Sequence, residues 1–214
     1  KLEDGSYMWS SNAPVSAVEG PWTFECSFAA DYNTSGDVLV FSGEPTRDDE
    51  WKPENTENWE ESNGYVSVLA NGDGSVRVNS NIIDWYLASY ETNVVVQLTD
   101  ADTGEVTNTV NSTGIRYRLD FDIRPVASVA VENVPSNSIY ALSLGTDGKY
   151  SLRIVSEAGG EFANVDLGKV PLDNPDVEIG YGGFTGIVSE MRFWAGYRST
   201  AQLHANRAFV NPRD

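Results

Sequence analysis

Two kinds of side chain in this sequence are spaced for chemistry: clustered aromatics and closely set acids. Sugars are gripped by flat aromatic faces stacked on their C–H surfaces, with polar groups at the rim. Trp51 and Trp59 lie in the acid-rich stretch 43–63. Trp85 and Tyr86 lie in Asn81-Ile82-Ile83-Asp84-Trp85-Tyr86, with Tyr90 soon after. Trp51, Trp59, Trp85 and Tyr86 are therefore the candidate ligand-binding residues. The competing use of each is to plug the end of a core or to fill a subunit contact.

The acids point to a hard cation. Asp100-Ala101-Asp102-Thr103-Gly104-Glu105 has the oxygen density of a short calcium loop, because calcium takes several carboxylate and carbonyl oxygens. Asp100, Asp102 and Glu105 are the candidate metal ligands, and calcium is the candidate cofactor. Asp48-Asp49-Glu50 and Asn71 with Asp73 are further acidic groupings. An Asx-rich hairpin turn explains each of these equally well. With 1 His and 1 Cys, a cysteine–histidine zinc site is excluded by count.

Nucleophilic catalysis has little to work with. His204 falls in a helix-like segment, and nothing in the sequence sets it beside Cys26 or an activated serine. Cys26 shares its alternation with Trp22, Phe24 and Phe28, so it is expected to face the core as a structural thiol. A lone cysteine also excludes an intrachain disulfide. No catalytic residue is assigned.

Strands must position these groups. Alternating or β-branched runs occur at 22–28, 37–42, 64–70, 74–79, 92–99, 105–110, 114–123, 126–132, 138–144, 149–155, 161–167, 176–181 and 184–194. Asn71-Gly72-Asp73-Gly74, Thr103-Gly104 and Thr146-Asp147-Gly148-Lys149 read as tight turns between them. Helix candidates are Asp84–Tyr90 and Thr200–Ala208, the second with Ser199 or Thr200 as N-cap. Residues 43–63, with two Pro and two Trp, read as a long loop of the kind that is often functional. Gly20-Pro21 divides an N-terminal arm or extra strand, 1–20, from a single sandwich domain, 21–214.

The chain has 214 residues, of which 40% are hydrophobic, enough for one sizeable core. Its net charge of -18 repels phosphate backbones and anionic lipid heads, which argues against nucleic acid and against electrostatic docking on membranes. The acid excess fits solubility, a shell suited to salty surroundings, or binding of divalent cations. No apolar run approaches the ~20 residues that span a bilayer, so no direct membrane insertion is expected. The opening Lys1-Leu2-Glu3-Asp4 has no apolar signal core, which fits a mature secreted form. The sequons Asn33-Thr34-Ser35 and Asn111-Ser112-Thr113 fit the same extracellular, cell-surface or particle-surface setting.

The segment Asp176-Val177-Glu178-Ile179-Gly180-Tyr181-Gly182-Gly183-Phe184-Thr185-Gly186-Ile187-Val188-Ser189-Glu190-Met191-Arg192-Phe193-Trp194 resembles the closing hairpin of laminin-G-like, concanavalin A-like jelly rolls. In those domains a glycine-rich turn leads into a strand of the form F-x-G-x-I-x-E-x-R-x-W. Pro21–Phe28 and Val38–Gly43 are similar to their first core strands. The resemblance covers both ends of the chain and leaves 80–160 unmatched. It implies an all-β fold, a two-sheet antiparallel β-sandwich with one or two short helical turns. By parity, Ile187, Met191 and Phe193 are expected on one face of the last strand, with Val188, Glu190, Arg192 and Trp194 on the other.

This fold hosts lectins, adhesins, hydrolases, lyases and virion proteins, so function must come from side chains. Glycosidases of the fold carry acids as E-x-D-x-x-E along one strand, and only Asp120-Phe121-Asp122 approaches that pattern. Arg116, Tyr117 and Arg118 are similar to part of a lyase cluster, without its strand histidine. The leading expectation is a non-catalytic extracellular recognition module that binds glycan or glycoprotein. One rival is a structural surface protein, a virion decoration, fibre or filament subunit, with neighbouring subunits as partners. The other is a polysaccharide-active lyase or hydrolase.

Overall fold

The computed structural model describes residues 8–10, 20–30, 35–43 and 60–207. Eleven strands and one helix follow in order: β1 (Met8–Ser10), β2 (Trp22–Ala30), β3 (Ser35–Ser42), β4 (Glu60–Asn71), β5 (Val76–Thr99), β6 (Val106–Val131), β7 (Ile139–Leu144), β8 (Tyr150–Val155), β9 (Glu161–Gly168), β10 (Asp176–Tyr181), β11 (Gly186–Trp194) and α1 (Thr200–Asn206). A six-stranded sheet runs β1-β10-β3-β4-β5-β6, and a five-stranded sheet runs β11-β2-β7-β8-β9. The chain is an all-β antiparallel sandwich. Its compact units are two, the first Lys1–Thr46, Ser62–Ile83 and Ile123–Asp214, the second Arg47–Glu61 and Asp84–Asp122.

The core of the first unit follows from strand periodicity. Successive side chains point to opposite faces. On β2 this sends Trp22, Phe24, Cys26 and Phe28 inward, where they meet Phe41, Val68, Leu142, Leu152 and Phe184. Phe28 stacks on Tyr140 at 3.8 Å, and Phe24 meets Phe41 edge-on at 5.2 Å. Burial pushes the Cys26 thiol up to about 12, so it behaves as a small apolar side chain. From the segment before Gly20, Met8–Ser10 pairs with Ile179–Val177 of β10.

Three sequence expectations are corrected. The first concerns 176–194, read as one hairpin. β10 pairs with β3 in one sheet, whereas β11 pairs with β2 in the other. The glycine-rich turn is a crossover between layers. Its path is tight: a Cβ on Gly36 would lie 2.5 Å from Phe184 N and 2.9 Å from Gly182 O.

The second concerns the parity of β11. The β2 pairing shifts register between Ser189 and Arg192, and Glu190 has φ 58. This bulge inserts an extra residue and reverses the alternation. Val188 before it and Phe193 after it both pack on the core, while Ile187 and Met191 are exposed.

The third is the helix at Asp84–Tyr90, which is continuous β5 strand. Bulk on both faces, in Trp85, Tyr86 and Leu87, hides a period of two. β6 likewise runs unbroken through Asn111-Ser112-Thr113 and Pro125. Pro125 is tolerated because β6 is the terminal strand of its sheet among the described residues, and terminal strands accommodate proline.

Candidate functional site

The alternate residues of β2 point away from the core. Such positions on a sandwich normally meet water, yet Thr23, Glu25 and Ser27 are buried. The chain after β11 provides the cover. Ser199 caps α1 through a capping box, with Gln202 N–H donating to Ser199 Oγ at 3.3 Å and Ser199 N–H donating to Gln202 Oε1 at 2.9 Å. Leu203 then packs on Ile139, Ala141 and Val155. The His204 ring sits against the β8–β9 turn, its Nε2 3.2 Å from Glu157 O. Gly159 in that turn has φ 88, a conformation that favours glycine, and a Cβ there would lie 2.8 Å from the ring.

Beside this apolar patch lies a polar one. Arg192 Nη1 donates to Glu25 Oε1 at 3.0 Å, and its Nη2 donates to Glu190. The bulge aims Glu190 at Arg192. Burial raises the Glu25 pKa, and the Arg192 guanidinium opposes that rise. Arg153, fully buried, donates to Ser143 Oγ at 3.1 Å and to the carbonyl of Arg198. Burial lowers the Arg153 pKa. Thr23 Oγ1 lies 3.1 Å from Ser143 Oγ and accepts from Arg198 N–H at 3.0 Å.

Both backbone groups of Arg198 are thus clamped, one by Thr23 and one by Arg153. Its guanidinium carbon lies over the Trp194 ring, 3.7 Å from the centroid. Tyr197, 49% exposed, lies beneath Arg153 at 4.5 Å. Among the described residues no carboxylate lies within ion-pair distance of Arg198, and its buried Nε has no acceptor. The buried Glu25 carboxylate attracts this guanidinium without contacting it; a guanidinium on an indole, held by a fixed backbone, offers a planar donor to a carboxylate or a hydroxyl-rich ligand.

Trp51 and Trp59 lie outside the described residues. Trp85 packs on Phe121 with ring centroids 5.1 Å apart. Tyr86 follows it on a strand and so takes the opposite face, where partial burial and then Asp122 and Asp120 raise its phenol pKa. The two do not form one stacking platform.

Asp100 Oδ1 accepts from Asp102 N at 2.9 Å, from Thr103 N at 2.8 Å and from Thr103 Oγ1 at 3.1 Å. These bonds hold its pKa below the usual carboxylate range and close the β5–β6 turn. Asp100, Asp102 and Glu105 do not converge, and no metal-holding group of three such side chains occurs among the described residues. Asp73 closes the β4–β5 turn in the same way through Ser75.

Sequence reasoning missed Arg198, Trp194, Arg153 and Glu25. The outward parity of Glu25 is legible in the alternation of β2. The covering of that face by residues 195–207 is not, because it depends on where the chain goes after its last strand.

No family model matches this chain, and no curated protein matches it. Among solved structures it is similar to the CBM40 module of the Ruminococcus gnavus IT-sialidase. That module bound to alpha2,3 sialyllactose gives 14% identity and a TM-score of 0.45, over 96% of this chain and 94% of the other. A further structure of the same module gives 14% identity and a TM-score of 0.46, over the same shares.

Proposed function

We propose that this chain is a non-catalytic recognition module that binds glycan or glycoprotein at a cell or particle surface. The observation that supports this reading is the Arg198 guanidinium held over Trp194 with no carboxylate in ion-pair contact among the described residues, one residue from the half-exposed Tyr197. Aromatic rings take the apolar faces of sugars, and a guanidinium takes carboxylate or vicinal hydroxyls. In a chain of net charge -18, such a cation selects acidic ligands only locally, so a sugar carrying a carboxylate is the ligand class proposed. Clamping of the Arg198 backbone by Thr23 and Arg153, with its guanidinium over Trp194, lowers the cost of ordering that arginine for a ligand.

The test is binding of immobilised acidic and neutral oligosaccharides. The parent should prefer the acidic set. Arg198→Ala and Trp194→Ala should each lose binding about tenfold or more, the scale of one charge-assisted hydrogen bond. Binding unchanged in both variants, with circular dichroism intact, would place recognition elsewhere. Turnover of any polysaccharide by the parent would favour the enzymatic reading instead.

A further inference from the structure

We infer that β6 is the interface for a second copy of this chain, pairing antiparallel with its own symmetry mate about Leu119. β6 is the terminal strand of its sheet among the described residues, and it is 26 residues long. An open strand edge of that length is a template for another strand unless it is blunted. Pro125, which has no N–H to donate, interrupts the edge at one end, and the charges along it repel only a partner that sets like charges opposite them. Below Pro125, Ile115, Tyr117, Leu119 and Phe121 are 67%, 41%, 55% and 47% exposed.

The occupant is specified by the order of residues. The edge reads Arg116-Tyr117-Arg118-Leu119-Asp120-Phe121-Asp122. A two-fold axis through Leu119 sets each residue opposite the one equally distant on the other side. Arg118 then faces Asp120 of the mate, and Arg116 faces Asp122. Tyr117 faces Phe121, and Leu119 faces Leu119. Each cross-strand pair is opposite in charge or apolar on both sides, and each occurs twice except Leu119–Leu119 on the axis itself, as an isologous interface requires. Sliding the register by one residue in either strand places charge against apolar side chain throughout.

The chain itself leaves these charges available. Arg118 reaches Asp120 of its own strand at 2.9 Å, with the Arg118 side chain 68% exposed. Arg116 and Asp122 have no ion pair among the described residues. In the pair of chains, the Arg118–Asp120 bridge of each copy would join its mate's in one four-charge network. All these groups lie on one face, the side that carries Tyr86, whereas the apolar residues lie on the other, the side that carries Trp85.

The experiment combines cross-linking with charge exchange. Leu119→Cys places a thiol on the axis, and the native Cys26 is buried and does not compete. Directly opposed residues have Cα atoms ~4.5–5.5 Å apart, within the span of a disulfide. Mild oxidation should give a covalent dimer from Leu119→Cys and not from Ile115→Cys, whose opposite residue is Ile123. In sizing chromatography, Arg116→Asp/Arg118→Asp and Asp120→Arg/Asp122→Arg should each be monomeric alone, since each sets like charges in register. Mixed one to one, they should form a heterodimer. A parent that stays monomeric across a concentration series overturns the proposal. So does a mixture that fails to associate, or cross-linking at Ile115→Cys that equals that at Leu119→Cys.

Discussion

The outer face of the five-stranded sheet and the second unit's part of β5 and β6 break the same rule in opposite directions. On the first, Thr23, Glu25, Ser143 and Arg153 are buried although polar. On the second, Val95, Ile115, Leu119 and Phe121 are exposed although apolar. Buried polar groups and exposed apolar ones are the informative departures in a folded protein. The contrast separates two causes. The polar face is covered by the same chain and its cost is met in part by internal hydrogen bonds, with Glu25 Oε2, Ser27 Oγ and Arg153 Nε left buried without a partner. The apolar ribbon is uncovered by the described residues, so its stability draws on whatever binds it.

Truncation should expose that contrast most strongly. Leu142→Ala in the fully buried core is expected to lose about 3 kcal/mol in urea unfolding, while Leu119→Ala should lie within about 0.5 kcal/mol of the parent monomer. Equal losses would mean that the ribbon is packed and would remove the comparison. Leu203→Ala comes next, with a loss of about 2–3 kcal/mol, because Leu203 is the fully buried residue of α1 and covers Ile139, Ala141 and Val155. Its unfolding should also show increased binding of an apolar dye, a response that a substitution on the ribbon would not produce.

The layers and most strands were legible because alternation survives wherever one face is apolar. β2 and β3 could be read residue by residue from Trp22, Phe24, Cys26 and Phe28, and from Val38 to Phe41. Legibility failed where the period was masked. Trp85, Tyr86 and Leu87 load both faces of β5, so a strand imitated one turn of helix. Glu190 at the bulge reversed the parity of β11, an event with no marker in composition. The candidate site failed for a third reason. Arg153, Arg192 and Arg198 come from separate segments, and only register brings them to Thr23 and Glu25.

A smaller effect concerns the buried acid. The folded pKa of Glu25 lies above its unfolded value, chiefly through burial. A raised pKa contributes stability that is present below the unfolded value and lost as pH rises through the folded one. Glu25→Gln keeps the neutral form at every pH. Its stability relative to the parent should therefore rise between acid and neutral pH, measured by urea unfolding at several pH values. A relative stability that falls over that range would show that the Arg192 pair outweighs burial.

The smallest expected effect is that of calcium. Asp100 Oδ1 already accepts three hydrogen bonds within its turn. Adding calcium or a chelator should leave the melting temperature unchanged, and a clear upward shift with calcium would restore Asp100, Asp102 and Glu105 as ligands.

The crossover at Gly182–Thr185 bears on synthesis. β2 gains its neighbour β11 only after more than a hundred residues of intervening chain, and β1 waits for β10 in the same way. Contacts so distant in sequence make folding slow. As the polypeptide leaves the ribosome, the edge of β2 that takes β11 must stay unpaired until residues 186–194 emerge, so the nascent protein stays open to aggregation up to that point.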